Sequence, residues 1–515
     1  MLLFQWILIL LVCAVALTAI ARRLNLPFPS LIALGGTALA FIPNAPEFEL
    51  DPQLTLALFV APVLLDAAYD TSLRDLKRNW VPVLSLVVIA VGITTVAVAW
   101  LAHWMVPGLP WAAAIALGAI VAPPDAAAAS AVLRHLNLPH RMLVILEGES
   151  LLNDATALLV YRIAVGAAMG GSLTAGSIAP EALAMIVSVV AGYVLAWIGV
   201  RLMRAVTDVP SAIVLQFVTT FGVWILADEV GLSAIVTLVT YAITISRLGS
   251  GSQSARMRLP SYAVWDTVVF VLNVLAFVLI GLQLRPILGE LEADEQKRYF
   301  QVAAAVLGMV VFVRFAWVMT YNRIAWLKHK LLGPGSWPGP NPPRINASTV
   351  VSWCGMRGIV TLAAAYALPS NFPYRDLILL CAFGVVVGTL ILQGLTLRPL
   401  ILAMHLRADH TVDDEVRAAK ERLSQVANQI LDGDGSEVAE ILREEFATPD
   451  VDESAEAQET GRAVRNRLRA RIVSAQREAL VQMRSSAEIG DDAFHRIEER
   501  LDWAEVNARS VSGGT

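Results

Sequence analysis

Thirteen apolar stretches, most of them about 20 residues long, recur along the chain as far as Leu400. A helix of about 20 apolar residues crosses the roughly 30 Å of hydrocarbon in a bilayer, and a helix satisfies its own backbone hydrogen bonds there. The sequence therefore predicts an all-α, polytopic membrane protein with about thirteen transmembrane helices. The stretches are residues 2–20, 29–43, 53–69, 81–104, 111–133, 142–168, 178–200, 211–227, 232–248, 262–284, 299–322, 346–368 and 376–397.

The first stretch has two interpretations, a retained helix or a cleaved secretory signal. No positive residue precedes it, and its apolar run is longer than a signal core, which favours the retained helix.

Charge divides the chain into two parts. Residues 1–407 contain 25 Lys and Arg against 20 Asp and Glu, whereas residues 408–515 contain 14 against 24. Only 16% of the whole chain is charged, compared with about 25% in soluble proteins. We expect a transmembrane domain over 1–407 and an acidic, solvated tail over 408–515. Apolar residues at helical spacing predict tail helices at 412–431, 437–446, 460–485 and 491–506.

Basic residues predict the orientation, because Lys and Arg accumulate in cytoplasmic connections. Alternate connections hold 16 Lys and Arg on one side of the membrane against 4 on the other. This bias predicts an N-terminus outside and a tail in the cytoplasm.

The densest group of polar residues inside an apolar stretch is EGESLLND, residues 147–154. Glu147, Ser150 and Asp154 share one stripe of a helix, and Glu149 and Asn153 form a neighbouring stripe. Charged groups at this depth are expensive and face a partner or a water-filled cavity. The carboxylate and hydroxyl of the first stripe are the oxygen ligands that a hard cation prefers.

Glu149 needs a positive partner from another helix. Arg357, in the segment WCGMRGIVT, is the counter-ion that the sequence suggests, and Gly355 and Gly358 would let a second helix approach closely there.

The preceding stretch is interrupted at APPDA, residues 122–126. Pro123 and Pro124 lack the N–H groups that a continuous helix needs. Irregular backbone at membrane depth is tolerated where it lines a cavity or is buried in protein. A discontinuous helix with Asp125 beside a helix with Asp154 is typical of a transporter's ion site; a kink without a role is the alternative.

Two other classes of function remain open from these residues. A passive cation channel would need no proton-binding carboxylate. An intramembrane hydrolase using Asp125 and Asp154 would usually need a metal, and no histidine lies in the acidic group. We therefore expect a protein that is not an enzyme.

Six motifs in order make the chain resemble the monovalent cation/proton antiporters, which include bacterial and animal sodium/proton exchangers. The resemblance covers residues 5–405. The motifs are FVAPVLLDAAY (59–69), APPDAAA (122–128), GESLLNDA (148–155), FVLIGL (277–282), GMRG (355–358) and QGLTLRP (393–399).

The resemblance implies roles for particular residues. Asp154, beside Asn153, would bind the cation and the proton in turn. Glu149 and Arg357 would form a structural ion pair, and Asp125 would lie at the site. The family usually has Thr-Asp-Pro at the helix break, so Pro124 leaves this chain without that hydroxyl. From the helix stripe, Ser150 is a further candidate cation ligand, and the supporting candidates are Asp66, Glu147, Pro123 and Pro124.

Competition for one carboxylate gives the expected mechanism. Asp154 holds either H⁺ or a metal ion, so exchange is obligatory if only the loaded site crosses, and Asn153 adds no second charge. The resemblance implies electroneutral one-for-one exchange of Na⁺ or K⁺ for H⁺, inverted repeats, a homodimer and a plasma-membrane location. Lipid is the surrounding partner; no cofactor, resident metal or nucleic acid is expected.

Overall fold

The computed structural model describes residues 2–24, 26–42, 51–125, 129, 133, 138–170, 175–249, 255–289, 293–333, 344–406, 409–433 and 459–510. Within these residues the regular structure is helical, with no β-strand. The first six helices are α1 (Leu2–Leu24), α2 (Phe28–Ala40), α3 (Gln53–Asp70), α4 (Leu73–Arg78), α5 (Trp80–Met105) and α6 (Trp111–Val121). The next six are α7 (His140–Ala168), α8 (Ala175–Arg204), α9 (Val209–Glu229), α10 (Ala234–Leu248), α11 (Ala255–Leu282) and α12 (Leu284–Gly289). Then follow α13 (Ala293–Leu332), α14 (Ile345–Trp353), α15 (Ile359–Tyr366), α16 (Arg375–Met404), α17 (Thr411–Asp432), α18 (Glu459–Ser485) and α19 (Asp491–Ser510).

The prediction of an all-helical, multi-span fold is confirmed. Among the described residues, seven helices are long and apolar enough to cross a membrane, and α2, α6 and α10 are shorter apolar helices. Each of the thirteen stretches contains helix. Part of the fifth stretch, after Asp125, and the predicted tail helix at 437–446 lie outside the described residues.

Within the ranges that the structure describes, two of the stretches are broken rather than continuous. Helix α6 ends at Val121, and α14 and α15 are separated by non-helical residues 354–358. By contrast, α16 continues from Arg375 to Met404. The partner of the first broken helix is therefore the stretch 346–368.

Helix α7 lies between two apolar clusters. The larger cluster includes Leu117, Val306, Leu362 and Val385, and the smaller one includes Leu64 of α3, Trp224 of α9 and Leu238 of α10. Helix α7 contributes residues on both sides of its polar segment. Met142, Ile145, Leu146, Tyr161 and Ala164 belong to the larger cluster, and Leu151 and Ala155 to the smaller. The segment 147–154 is thus placed where the two clusters meet.

The motif FVLIGL explains a close helix crossing. A Cβ on Gly281 of α11 would lie 2.5 Å from the carbonyl oxygen of Ala33, and a Cβ on Gly36 of α2 would lie 2.5 Å from that of Val278. Both helices therefore need glycine for their backbones to touch.

The predicted tail helices at 412–431, 460–485 and 491–506 are confirmed as α17, α18 and α19. Helices α17, α18 and α19 enclose an apolar core of their own that includes Leu423, Leu480, Phe494 and Ile497. The tail also makes ion pairs with α4, α7 and α11. These contacts fasten it to the ends of the membrane helices.

Candidate cation site

The two helix breaks cross each other. Helix α6 stops before Pro123 and Pro124, because neither residue can donate a backbone hydrogen bond. The backbone N–H of Asp125 instead donates to the carbonyl oxygen of Met356, at 2.6 Å, within the second break. One unwound segment therefore supplies hydrogen-bond partners for the other.

Arg357 holds this crossing together through backbone carbonyl groups. Its Nε donates to Val121 and its Nη2 to Ala122, both at 3.0 Å, and Nη1 donates to Gly355. Its own N–H donates to Oγ1 of Thr389 on α16, at 3.0 Å. The guanidinium is buried and surrounded by carbonyl oxygens that the broken helices leave without internal partners.

The prediction that Glu149 forms an ion pair with Arg357 is wrong. Glu149 pairs with Arg314 of α13: Nη1 donates to Oε1 at 2.5 Å and Nη2 to Oε2 at 3.0 Å. Glu149 is 1% exposed and Arg314 3% exposed. A Cβ on Gly355 would lie 2.5 Å from Cδ of Arg314. Gly355 therefore makes room for Arg314, while Arg357 binds backbone carbonyl groups.

Asn153 and Asp154 lie at the crossing from the α7 side. Nδ2 of Asn153 donates to the carbonyl oxygen of Pro124, at 2.8 Å. Its Oδ1 is buried and accepts no hydrogen bond from the described residues. The Asp154 side chain is buried as well, and Asp125 acts on it electrostatically. An amide oxygen and a carboxylate thus occupy adjacent positions on α7 beside the first break.

Asp125 is stabilised differently from Asp154. A Cβ on Gly358 would lie only 1.6 Å from Oδ2 of Asp125, so this carboxylate rests against the glycine that precedes α15. The N-terminus of a helix carries partial positive charge and favours an anion. Only glycine at 358 leaves space for Asp125 there.

The remaining candidates surround this centre. Ser150 is partly exposed one turn before Asp154, Glu147 is exposed about two turns before Asp154, and Asp66 is partly exposed on α3. Pro123 and Pro124 are buried in the first break.

A family model described as the transmembrane sodium/hydrogen exchanger matches residues 7–403, more than half of the chain. The chain belongs to the sodium/hydrogen exchanger family. This membership confirms the resemblance, and it supports the antiporter interpretation over the channel and the hydrolase.

Relatives of this exchanger extend the match into the tail. It is 29% identical to a sodium, potassium, lithium and rubidium/H⁺ antiporter of Bacillus pumilus, over 93% of this chain and 74% of that protein. It is also 29% identical to the Na⁺/H⁺ exchanger YjcE of Escherichia coli, over 96% of each chain. The fold resembles the sodium proton antiporter MjNhaP1 of Methanocaldococcus jannaschii, with a TM-score of 0.62 at 17% identity over 79% of this chain and 98% of that one.

Sequence reasoning missed two residues of this exchanger's centre. Arg314 is an isolated charge in the apolar helix α13, and a charge so deep in an apolar stretch indicates a buried partner. The sequence does not show which helix carries that partner. Thr389, which binds the backbone of Arg357, carries no local signal because hydroxyls are common in such helices.

Proposed function

We propose that this chain exchanges a monovalent cation for H⁺ at Asp154, one for one and without net charge movement. Residues 1–407 form the transport domain and 408–515 a cytoplasmic tail, in a plasma-membrane protein with its N-terminus outside. The protein acts as a homodimer in lipid and not as an enzyme. The match of the family model to residues 7–403 supports the proposed bounds of the transport domain.

One observation carries the proposal: the buried arginines near Asp154 already bind other groups. Arg314 neutralises Glu149, and the guanidinium of Arg357 is held by carbonyl oxygens. Asp125 rests at a helix N-terminus. No described residue donates a hydrogen bond to Asp154 or forms an ion pair with it. Because a buried charge must be compensated, Asp154 takes its compensation from a mobile cation, either H⁺ or a metal ion.

The oxygen atoms around Asp154 suit an alkali cation. The candidates are its own carboxylate, Oδ1 of Asn153, the hydroxyl of Ser150 and the carboxylate of Asp125. Hard cations take oxygen ligands of this kind. The carbonyl of Pro124 is engaged by Asn153, so Asn153 both fixes the break and presents its oxygen. The relatives' names include sodium and potassium, and we propose Na⁺ or K⁺ as the substrate here.

Exchange follows from the exclusive occupancy of Asp154. A site loaded with H⁺ or with Na⁺ has the same charge, whereas an empty site leaves a bare carboxylate between apolar clusters. The loaded forms cross and the empty form does not. The movement is a rocking of the helices around the crossing, as in transporters built from inverted repeats.

The test uses the full chain in vesicles with a pH-sensitive dye inside. Addition of Na⁺ or K⁺ outside should make the interior alkaline, and Asp154→Asn should abolish this response. Asp266→Asn, which removes an exposed carboxylate from α11, is the matched control and should retain it. An imposed membrane potential should leave the rate unchanged. Cation flux that continues without any opposing gradient of protons or cations would instead favour a channel.

A further inference from the structure

The tail binds to the ends of several membrane helices through ionic contacts. Arg74 of α4 donates to Glu415 of α17 at 2.6 Å, and Glu415 in turn accepts from the N–H of Gly490, before α19. Arg258 of α11 makes a bidentate pair with Asp502 of α19, whose side chain is 0% exposed. The bonds of Glu415 are partly buried and the Arg258–Asp502 pair is buried. All are charge-assisted bonds, which are stronger than surface ion pairs.

His140 is the point where the tail reaches the helix of the cation site. It is the first residue of α7, and Asp154 lies about 21 Å further along the same helix, at 1.5 Å per residue. Its Nε2 lies 3.3 Å from Oδ2 of Asp75 on α4, and its Nδ1 lies 3.2 Å from Oδ2 of Asp492 on α19. Its backbone N–H donates to Asp409, at 2.9 Å.

An imidazole between two carboxylates requires both nitrogens to be protonated, since each must donate. Hydrogen bonds to Asp492 and then to Asp75 raise the pKa of His140 to about 10, against the opposing effect of burial. Burial alone would raise the pKa of Asp75, but His140, Ser72 and the charge of Arg74 lower it to about 2. The other charged groups at this contact are Asp409 and, next along α7, Arg141.

The tail also forms hydrogen bonds with α10. Arg484 of α18 donates to the carbonyl oxygen and hydroxyl of Ser246 on α10, at 3.2 and 3.1 Å. Helix α10 belongs to the smaller apolar cluster, whereas the beginning of α7 packs in the larger one. The tail therefore connects the beginning of the ion-site helix to α10, a helix of the adjoining cluster.

We propose that the tail is a pH-sensitive strap: docked on protonated His140 it restrains α7 against α10 and α11, and it releases the beginning of α7 when His140 loses its proton. This inference rests on the proposed exchange, because rocking of α7 is the movement that the strap would slow. A raised histidine pKa means that docking is strongest below the ordinary value of about 6.5 and is lost as pH rises towards 10. Within that window the docking equilibrium weakens by up to about tenfold per pH unit.

The test measures docking and transport separately in the full chain. Hydrogen–deuterium exchange, corrected for intrinsic rates, should show the protection of α19 falling between about pH 6.5 and 10. Asp492→Asn should lower that protection at neutral pH, flatten its pH dependence and speed cation/proton exchange severalfold in vesicles. Asp413→Asn is the matched control: it removes an exposed tail carboxylate whose ion-pair partners, among the residues described, are Arg496 and His410 of the tail, and it should behave like the unchanged protein.

Unchanged protection of α19 in Asp492→Asn would overturn the docking role of His140. A loosened tail with an unchanged exchange rate would overturn the strap while leaving the proposed exchange intact. If the unchanged protein exchanged no cation for H⁺, the proposed function itself would be refuted, and with it the proposal that the tail slows transport. His140→Gln provides the second variant and should give a loosened tail at every pH.

Discussion

Removing Arg314 tests the ion pair on which the account of the site depends. Arg314→Met leaves Glu149 buried, at 1% exposure, without its two guanidinium hydrogen bonds. Loss of one partner of a buried pair costs about 3–5 kcal/mol, because the remaining charge is uncompensated. Glu149→Gln combined with Arg314→Met removes both charges, so most of that loss should be recovered.

The assay is the free energy of unfolding in a detergent titration followed by circular dichroism. A double-mutant cycle gives the coupling of Glu149 with Arg314, and a second cycle gives its coupling with Arg357. We expect the first to exceed the second by at least about 1 kcal/mol, since Arg314 is the one residue in the described part of the chain that forms an ion pair with Glu149. Arg162→Gln is the control: its pair with Asp228, at 3.6 Å, is about 40% exposed on both sides and should be worth about 1 kcal/mol or less.

The opposite ranking of the two couplings would refute the reasoning. Arg357 would then neutralise Glu149, Arg314 would be left to compensate another carboxylate, and the claim that Asp154 lacks a permanent partner would fail.

Three further outcomes are expected. Gly358→Ala should reduce vesicle exchange at least about tenfold, because its Cβ would displace the carboxylate of Asp125, whereas Gly222→Ala, with open space around it, should not. Asn153→Ala should weaken cation binding in the same assay and destabilise the protein by about 1–3 kcal/mol, because the carbonyl of Pro124 loses its buried donor. Asp75→Asn removes a hydrogen bond that raises the pKa of His140, so the loss of α19 protection, measured by hydrogen–deuterium exchange, should move to lower pH.

Much of the fold was predictable because the bilayer limits the choices. Segments of about 20 apolar residues must be helices, and the pair Pro123–Pro124 predicted the first break. The second break was not predictable. Gly355 and Gly358 indicate close approach, but glycine is tolerated inside transmembrane helices, so the sequence did not show that the stretch 346–368 is broken.

The site was predictable on one helix and not between helices. Helical phase places Glu149 and Asp154 on neighbouring faces of α7, and this is local information. The partner of Glu149 depends on how α13 and α14 pack, and proximity in a motif pointed to Arg357 when Arg314 was the residue in reach. The docking of the tail was unpredictable for the same reason. Arg258 and Asp502 are 244 residues apart, and their pairing arises only from the tertiary structure.

Infrared difference spectroscopy of the full chain, as Na⁺ is added near neutral pH, gives the most direct test of Asp154. We expect that one protonated-carboxyl band disappears when the cation binds, that a proton is released to the medium, and that both signals are absent in Asp154→Asn. A carboxylate at 154 that stays ionised throughout the titration, with or without Na⁺, would contradict it.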